Sequence, residues 1–175
     1  MYSASSNSRT KKNIFRAAVI IALIILLLYF FPIYRLEQIG PGVFGDYYSG
    51  EEIAKALYIG SFADRREARP VLALAEQAFS DIQHTREENE QRYGLLSRYS
   101  TPADSYDDVT RNEHTLKLWS AHFDGNEGWM WVFYSSESYR ADGSTVCGGW
   151  NIPALWRLER DEGGQWTVVQ IREHP

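Results

Sequence analysis

The stretch that decides the fold is residues 114–139, HTLKLWSAHFDGNEGWMWVFYSSESY. Its first ten residues alternate around Leu116, Leu118, Trp119, Ala121 and Phe123, a strand pattern. Asp124-Gly125-Asn126 is a turn signal. Trp129–Tyr139 then reads as a second strand, apolar on both faces at first and polar later. On it Trp129, Trp131 and Phe133 share one face, and Met130, Val132 and Tyr134 the other, because side chains alternate along a strand.

Downstream the texture persists. Ala141-Asp142-Gly143-Ser144 is a hairpin turn, Ile152–Arg160 a third strand after a Gly148-Gly149 break, and Gln165–Arg172 a closing strand. Pro153 predicts an edge or bulge position. Upstream the texture is helical. Ser49-x-x-Glu52 is a capping box ahead of EIAKALYIG. Asp64-x-x-Glu67 predicts the start of a second helix, with Pro70 near its first turn. There Val71, Leu74, Ala75, Ala78 and Ile82 recur at helical spacing, with Leu72 and Phe79 beside them. Thr85-x-x-Glu88 predicts a third, mostly polar helix with Tyr93 and Leu96 as its apolar contacts. Residues 97–112 are turn-rich and read as a loop. The fold class is α+β: an N-terminal transmembrane helix, then about three helices packed on a curved four-stranded antiparallel meander sheet.

The chain has 175 residues, room for one domain and an anchor. Residues 17–34, AAVIIALIILLLYFFPIY, form an uncharged run of the length a membrane crossing needs. Tyr29, Phe30, Phe31 and Tyr34 crowd its distal end, as interfacial rings do. Arg9, Lys11, Lys12 and Arg16 precede it, which predicts a cytoplasmic N-terminus and an outer C-terminal domain. A cleaved signal peptide fits less well, since its apolar core is shorter and a small-residue cleavage site should follow. The predicted layout is a basic tail (1–16), a transmembrane helix (17–34), a Gly/Pro-punctuated linker (35–48) and an outer domain (49–175). The absence of an N-x-S/T sequon fits a bacterial source.

Charge narrows the partners. All 23 acidic residues follow Arg35, against 14 of the 18 basic ones, a net of −9 for that region. Such a domain is poorly suited to a phosphate backbone, so nucleic acid is not expected. The single cysteine, Cys147, excludes an internal disulfide and is expected half-buried in a strand. His84, His114, His122 and His174 lack metal-ligand spacing, and no phosphate-binding or dinucleotide glycine pattern is present, so no metal or cofactor is expected.

The last two strands, residues 155–173 (LWRLERDEGGQWTVVQIRE), place a charged hairpin before Trp166 and the alternating Val168 and Ile171. With helices before a meander, this ending resembles the NTF2-like (cystatin-like, SnoaL-like) superfamily over residues 49–174. The layout behind one crossing also resembles VirB8-type secretion or conjugation subunits. The resemblance implies helices packed into a concave sheet, pairing through the sheet in many members, and a helix–sheet pocket in some. In small enzymes of this kind an Asp base works with a Tyr or Asp donor in an apolar cone. The corresponding candidates are Asp107 or Asp108 beside Tyr106, or His122, with Tyr134 as donor; a solvated loop is the simpler reading of Tyr106-Asp107-Asp108.

The leading expectation is a non-enzymatic, membrane-anchored interaction module. Trp129, Trp131 and Phe133 would form its open face, meeting a second copy or another envelope protein. A binder of a small apolar ligand in the helix–sheet cavity is the second expectation, and a small isomerase or hydrolase the third.

Overall fold

The computed structural model describes residues 13–26, 48–56, 58, 60–106 and 108–173. The chain divides into two compact units, Met1–Phe44 and Gly45–Pro175. In the first, residues 13–26 form helix α1. Of the expected crossing, residues 17–26 are helical and 27–34 lie outside the described residues, as does the expected linker except Tyr48. Among the described residues no helix is long and apolar enough to cross a membrane.

The second unit is α+β. Helices α2 (Gly50–Ala56), α3 (Phe62–Ser80) and α4 (Arg86–Tyr93) and a 3-10 turn (Gly94–Tyr99) precede four strands. These are β1 (Val109–Asp124), β2 (Glu127–Arg140), β3 (Thr145–Arg160) and β4 (Trp166–Glu173), antiparallel in the order β1-β2-β3-β4.

Helices α2, α3 and α4 each start on a reciprocal cap, which satisfies donors that the first turn leaves orphaned. In α2 the Ser49 N–H donates to Glu52 at 2.7 Å and the Glu52 N–H to Ser49 Oγ at 3.2 Å. In α4 Thr85 and Glu88 do the same. The start of α3 corrects the expectation. Its cap is Ser61, with Asp64 as the third helical residue, and Pro70 sits inside the helix. Pro70 is exposed, so water can reach the carbonyl its missing N–H leaves free.

The packed face of the sheet carries Met130, Val132, Ala154, Trp156, Leu158 and Val168, all buried against Ala68, Val71, Ala75, Ala78 and Phe79 of α3. Three alanines on that stripe let the helix approach the strands closely. Phe79 stacks on Tyr99 (ring centroids 4.6 Å apart) and lies 5.3 Å from Tyr134, while Tyr99 lies 5.8 Å from Trp156. The Trp156 N–H donates to Tyr99 Oη at 2.8 Å, and the Tyr134 hydroxyl donates to Glu173 at 2.8 Å. Burial, then the nearby Glu173 carboxylate, pushes both phenols well above their usual range. The space between helices and sheet is thus filled by interlocked rings.

The opposite face is also covered, which departs from the expectation of helices on one side only. Helix α2 lies across it. The Trp131 N–H donates to Glu52 O at 3.0 Å, the Trp119 N–H to Ala56 O at 2.5 Å and Ser120 Oγ to Lys55 O at 3.2 Å. Lys55 and Ala56 are among the last four residues of the helix, whose carbonyls lack an intrahelical donor. Tyr48 lies 4.8 Å from Trp131 and its hydroxyl donates to Pro153 O at 3.1 Å.

Irregularities re-aim the strands. Leu118 opposes Val132 but Ser120 opposes Trp131, so Trp119 is an extra residue and the in–out phase of β1 reverses there. β3 begins seven residues earlier than expected and runs through Gly148-Gly149. Tyr134 opposes Ile152 and Ser136 opposes Gly149, leaving Trp150 and Asn151 bulged opposite Ser135. Asn151 takes φ 53° there. A Cβ on Gly148 would stand 2.8 Å from Ser136 O, which accounts for glycine at that close approach. Pro153 follows this bulge on an inner strand.

Candidate interaction groove

The phase reversal at Trp119 turns His122 and Trp129, directly opposed in the β1–β2 register, toward the α2 side. Beside α2 they line a groove of about 280 Å³ with Glu52, Lys55, Arg157 and Arg172. The His122 ring lies between Tyr58 (4.6 Å) and Trp129 (5.9 Å). Its Nδ1 is buried without a hydrogen-bond partner and stands 3.8 Å from Asp64 Oδ1.

Asp64 is itself buried, and it accepts from the Ser61 N–H (2.8 Å), Ser61 Oγ (2.7 Å) and the Phe123 N–H (3.0 Å). Burial raises its pKa, but these donors outweigh it and hold the carboxyl below its usual value. The carboxylate therefore welds the start of α3 to the end of β1. At 3.8 Å it stands beyond hydrogen-bonding distance of the imidazole.

The groove carries charges of both signs. Arg172 pairs with Glu52, and Arg157 reaches Glu159 at 3.2 Å and Glu127 at 3.7 Å. Lys55 lies 3.4 Å from Glu51. Burial raises the Glu52 pKa, but the Ser49 N–H and the Arg172 guanidinium bring it below the usual range. Trp129, Arg157 and Arg172 are of types enriched at protein interfaces, whereas Glu52, Lys55, Asp124 and Glu127, which also line the groove, are of types depleted there. Among the described residues no group of three acids, histidines or cysteines is placed to hold a metal.

The expected interaction face is split by α2. Trp129 is half-buried in the groove. Trp131 is fully buried beneath Tyr48 and α2, so it is not part of an open surface. Phe133 is half-buried, edge-on to Trp119 at 6.5 Å. The six tryptophans divide more sharply by their indole N–H. Those of Trp119, Trp131, Trp156 and Trp166 donate to Ala56 O, Glu52 O, Tyr99 Oη and Glu67 Oε2. Trp129 and Trp150 have no such partner among the described residues, and Trp150 is 77% exposed on the β3 bulge.

The expected enzyme residues do not converge. Tyr134 packs in the core, whereas His122 lies on the other face of the sheet. Asp108 forms an ion pair with Arg140 at the surface and Tyr106 is exposed. Asp107 and His174 lie outside the described residues. Cys147 is exposed rather than half-buried. A second polar cluster is closed on itself: Asp81 accepts from Tyr93 Oη (2.8 Å), His84 Nδ1 (2.9 Å) and the Gln83 N–H (3.1 Å), fixing the α3–α4 turn. Sequence reasoning missed Glu52, Lys55, Arg157 and Arg172; a strand period shows which face an arginine takes, not what stands across from it.

No family model and no curated protein matches the sequence. Solved structures that match include a conserved protein from Planctomyces limnophilus DSM 3776, at 12% identity and TM-score 0.46, covering 63% of this chain and 94% of that one. Another is a protein from Catenulispora acidiphila, at 14% identity and TM-score 0.36, covering 65% and 89%. Likenesses of this degree carry no argument about function.

Proposed function

We propose that this chain is a non-enzymatic assembly module, tethered to a bacterial cell membrane by residues 17–34, with its C-terminal unit outside. In this reading the unit is an NTF2-like domain with a curved sheet, in a layout similar to VirB8-type subunits. The groove beside α2, with Trp129 at its floor, meets an envelope protein partner.

The observation that carries the reading is the filled interior. Phe79, Tyr99, Tyr134 and Trp156 occupy the space where a ligand binder or an enzyme of this architecture keeps a cavity. Function then falls to the outer surface. The tether is supported by α1, whose apolar side chains from Ile14 to Leu26 are exposed; an apolar helix of that kind suits a lipid environment. Tethering raises the effective concentration of a partner in the same membrane.

Two measurements test this. A photo-crosslinking residue in place of Trp129, in the full chain in its membrane, should give a discrete protein adduct, and one in place of Tyr106 should not. Titration of residues 45–175 with an apolar fluorescent dye should show no saturable site. Saturable dye binding without any Trp129 adduct would replace the assembly reading with the ligand-binding one.

A further inference from the structure

The geometry points to a second, separate contact: the free edge of β1 pairs with β1 of a second copy, antiparallel about Thr115, to join two four-stranded sheets into one. It goes beyond the groove, which lies on the sheet face near the other end of β1.

The sheet has two edges, β1 and β4. β4 has eight residues, and the shift between Arg157 and Leu158 leaves Val169 bulged in its middle, a device that blunts pairing. β1 has 16 residues. Its irregularities fall at Thr110 and Trp119, so Arg111–Leu118 is an uninterrupted run against β2. Every second residue of that run turns an N–H and a C=O outward, and β2 is its only backbone ladder among the described residues. Side chains on the packed face are already fixed: His114 Nε2 meets Glu76 at 2.5 Å and Asn112 donates to Phe79 O. Glu113, Thr115 and Lys117 stand exposed on the other face.

Their charges select one register. Centred on Thr115, the pairing sets each Glu113 against the partner's Lys117 twice over and Thr115 against its own copy. Centred on Glu113 it sets that carboxylate on itself, and centred on His114 it sets Arg111 on Lys117; both are like-charge contacts that oppose pairing. Centring on Asn112 or Leu116 runs into the bulges at Thr110 or Trp119. A register centred between residues places Leu116 and Leu118 of one copy on the open face of the other. Lys117 has no ionic partner in its own chain among the described residues, and Glu113 holds only the surface pair with Arg111 at 2.9 Å. The Glu113 carboxylate has lone pairs for a second cation.

The test uses the full chain in mild detergent, with protein mass read by sedimentation. The wild type should be a dimer. Glu113→Lys and Lys117→Glu should each weaken it about tenfold or more, by creating two like-charge contacts, and the double reversal should restore it. With Cys147→Ser in the background, Thr115→Cys should give a covalent dimer under a mild oxidant, since facing Cβ atoms in such a pair lie about 4.5–5.5 Å apart; Lys117→Cys should not. Arg157→Glu, in the groove, should leave the dimer intact. A monomeric wild type, a dimer indifferent to both single reversals, or a dimer lost only through Arg157→Glu would each overturn the edge pairing; only the last would leave a self-contact in the groove.

Discussion

Phe79→Ala tests whether the interior is solid. Phe79 is 1% exposed and meets three rings: Tyr99 at 4.6 Å, His114 at 5.2 Å and Tyr134 at 5.3 Å. Losing the buried side chain costs about 2 kcal/mol in transfer free energy. The neighbours are poorly placed to collapse into the gap. Tyr99 is held by the Trp156 N–H, Tyr134 by Glu173 and His114 by Glu76. A residual cavity of about 100 Å³ at ~24 cal/mol per Å³ adds about 2.4 kcal/mol. The expected loss is therefore about 4 kcal/mol. It is measured by urea unfolding of residues 45–175, the compact unit that contributes every residue of the core cluster. Benzene should restore part of the loss in the variant and leave the wild type unchanged, because a dry cavity accepts apolar guests. A loss below about 1.5 kcal/mol at unchanged m-value would mean the ring lines an existing void. That result would refute the filled interior and, with it, the argument against a ligand.

Two further outcomes follow from close contacts. Gly148→Ala drives a Cβ to 2.8 Å from Ser136 O and 2.9 Å from Glu137 Cγ, and should lower thermal stability by about 1–3 kcal/mol; an unchanged melting temperature would show that the β3 arm relaxes freely. Asp64 has a folded pKa below its ordinary value. Its contribution is therefore complete above the ordinary carboxylate range and disappears as pH falls through the depressed folded value. Asp64→Asn should cost about 1.5–3 kcal/mol at neutral pH, the scale of hydrogen bonds to a charged acceptor. The gap to wild type should close in acid unfolding curves; a gap independent of pH would remove the carboxylate's charge from the account.

Much of the fold was legible because its signals are local. The Ser49 and Thr85 capping boxes mark the starts of α2 and α4. The bulge in β1 was also written in the sequence: its apolar set moves from even positions, Leu116 and Leu118, to odd ones, Ala121 and Phe123, across Trp119. Such a slip marks an inserted residue. Ser61 was harder to find. Ser61-x-x-Asp64 and Asp64-x-x-Glu67 offer overlapping caps, and the choice is made by tertiary structure, because Asp64 also receives the Phe123 N–H from 59 residues away. The start of β3 was missed for a similar reason. Gly148-Gly149 reads as a break, yet Gly148 allows the strand to pass close to Ser136 and Glu137.

The interaction face was harder still, because strand parity assigns a side chain to a face and says nothing about what covers that face. Trp129 and Trp131 share parity, yet one opens into the groove and the other is sealed. What separates them is the indole N–H. A buried indole requires an acceptor, and the carbonyls near the end of a short helix require donors. Trp119 meets both needs at Ala56 O, Trp131 finds its acceptor in Glu52 O, and together they hold α2 against the sheet. They are thereby committed to the fold, as Trp156 and Trp166 are by Tyr99 and Glu67. Trp129 and Trp150 remain with area and a donor to offer. A partner that engages this unit through tryptophan therefore does so through the groove or the β3 bulge, while replacing Trp131 acts on binding only by releasing α2.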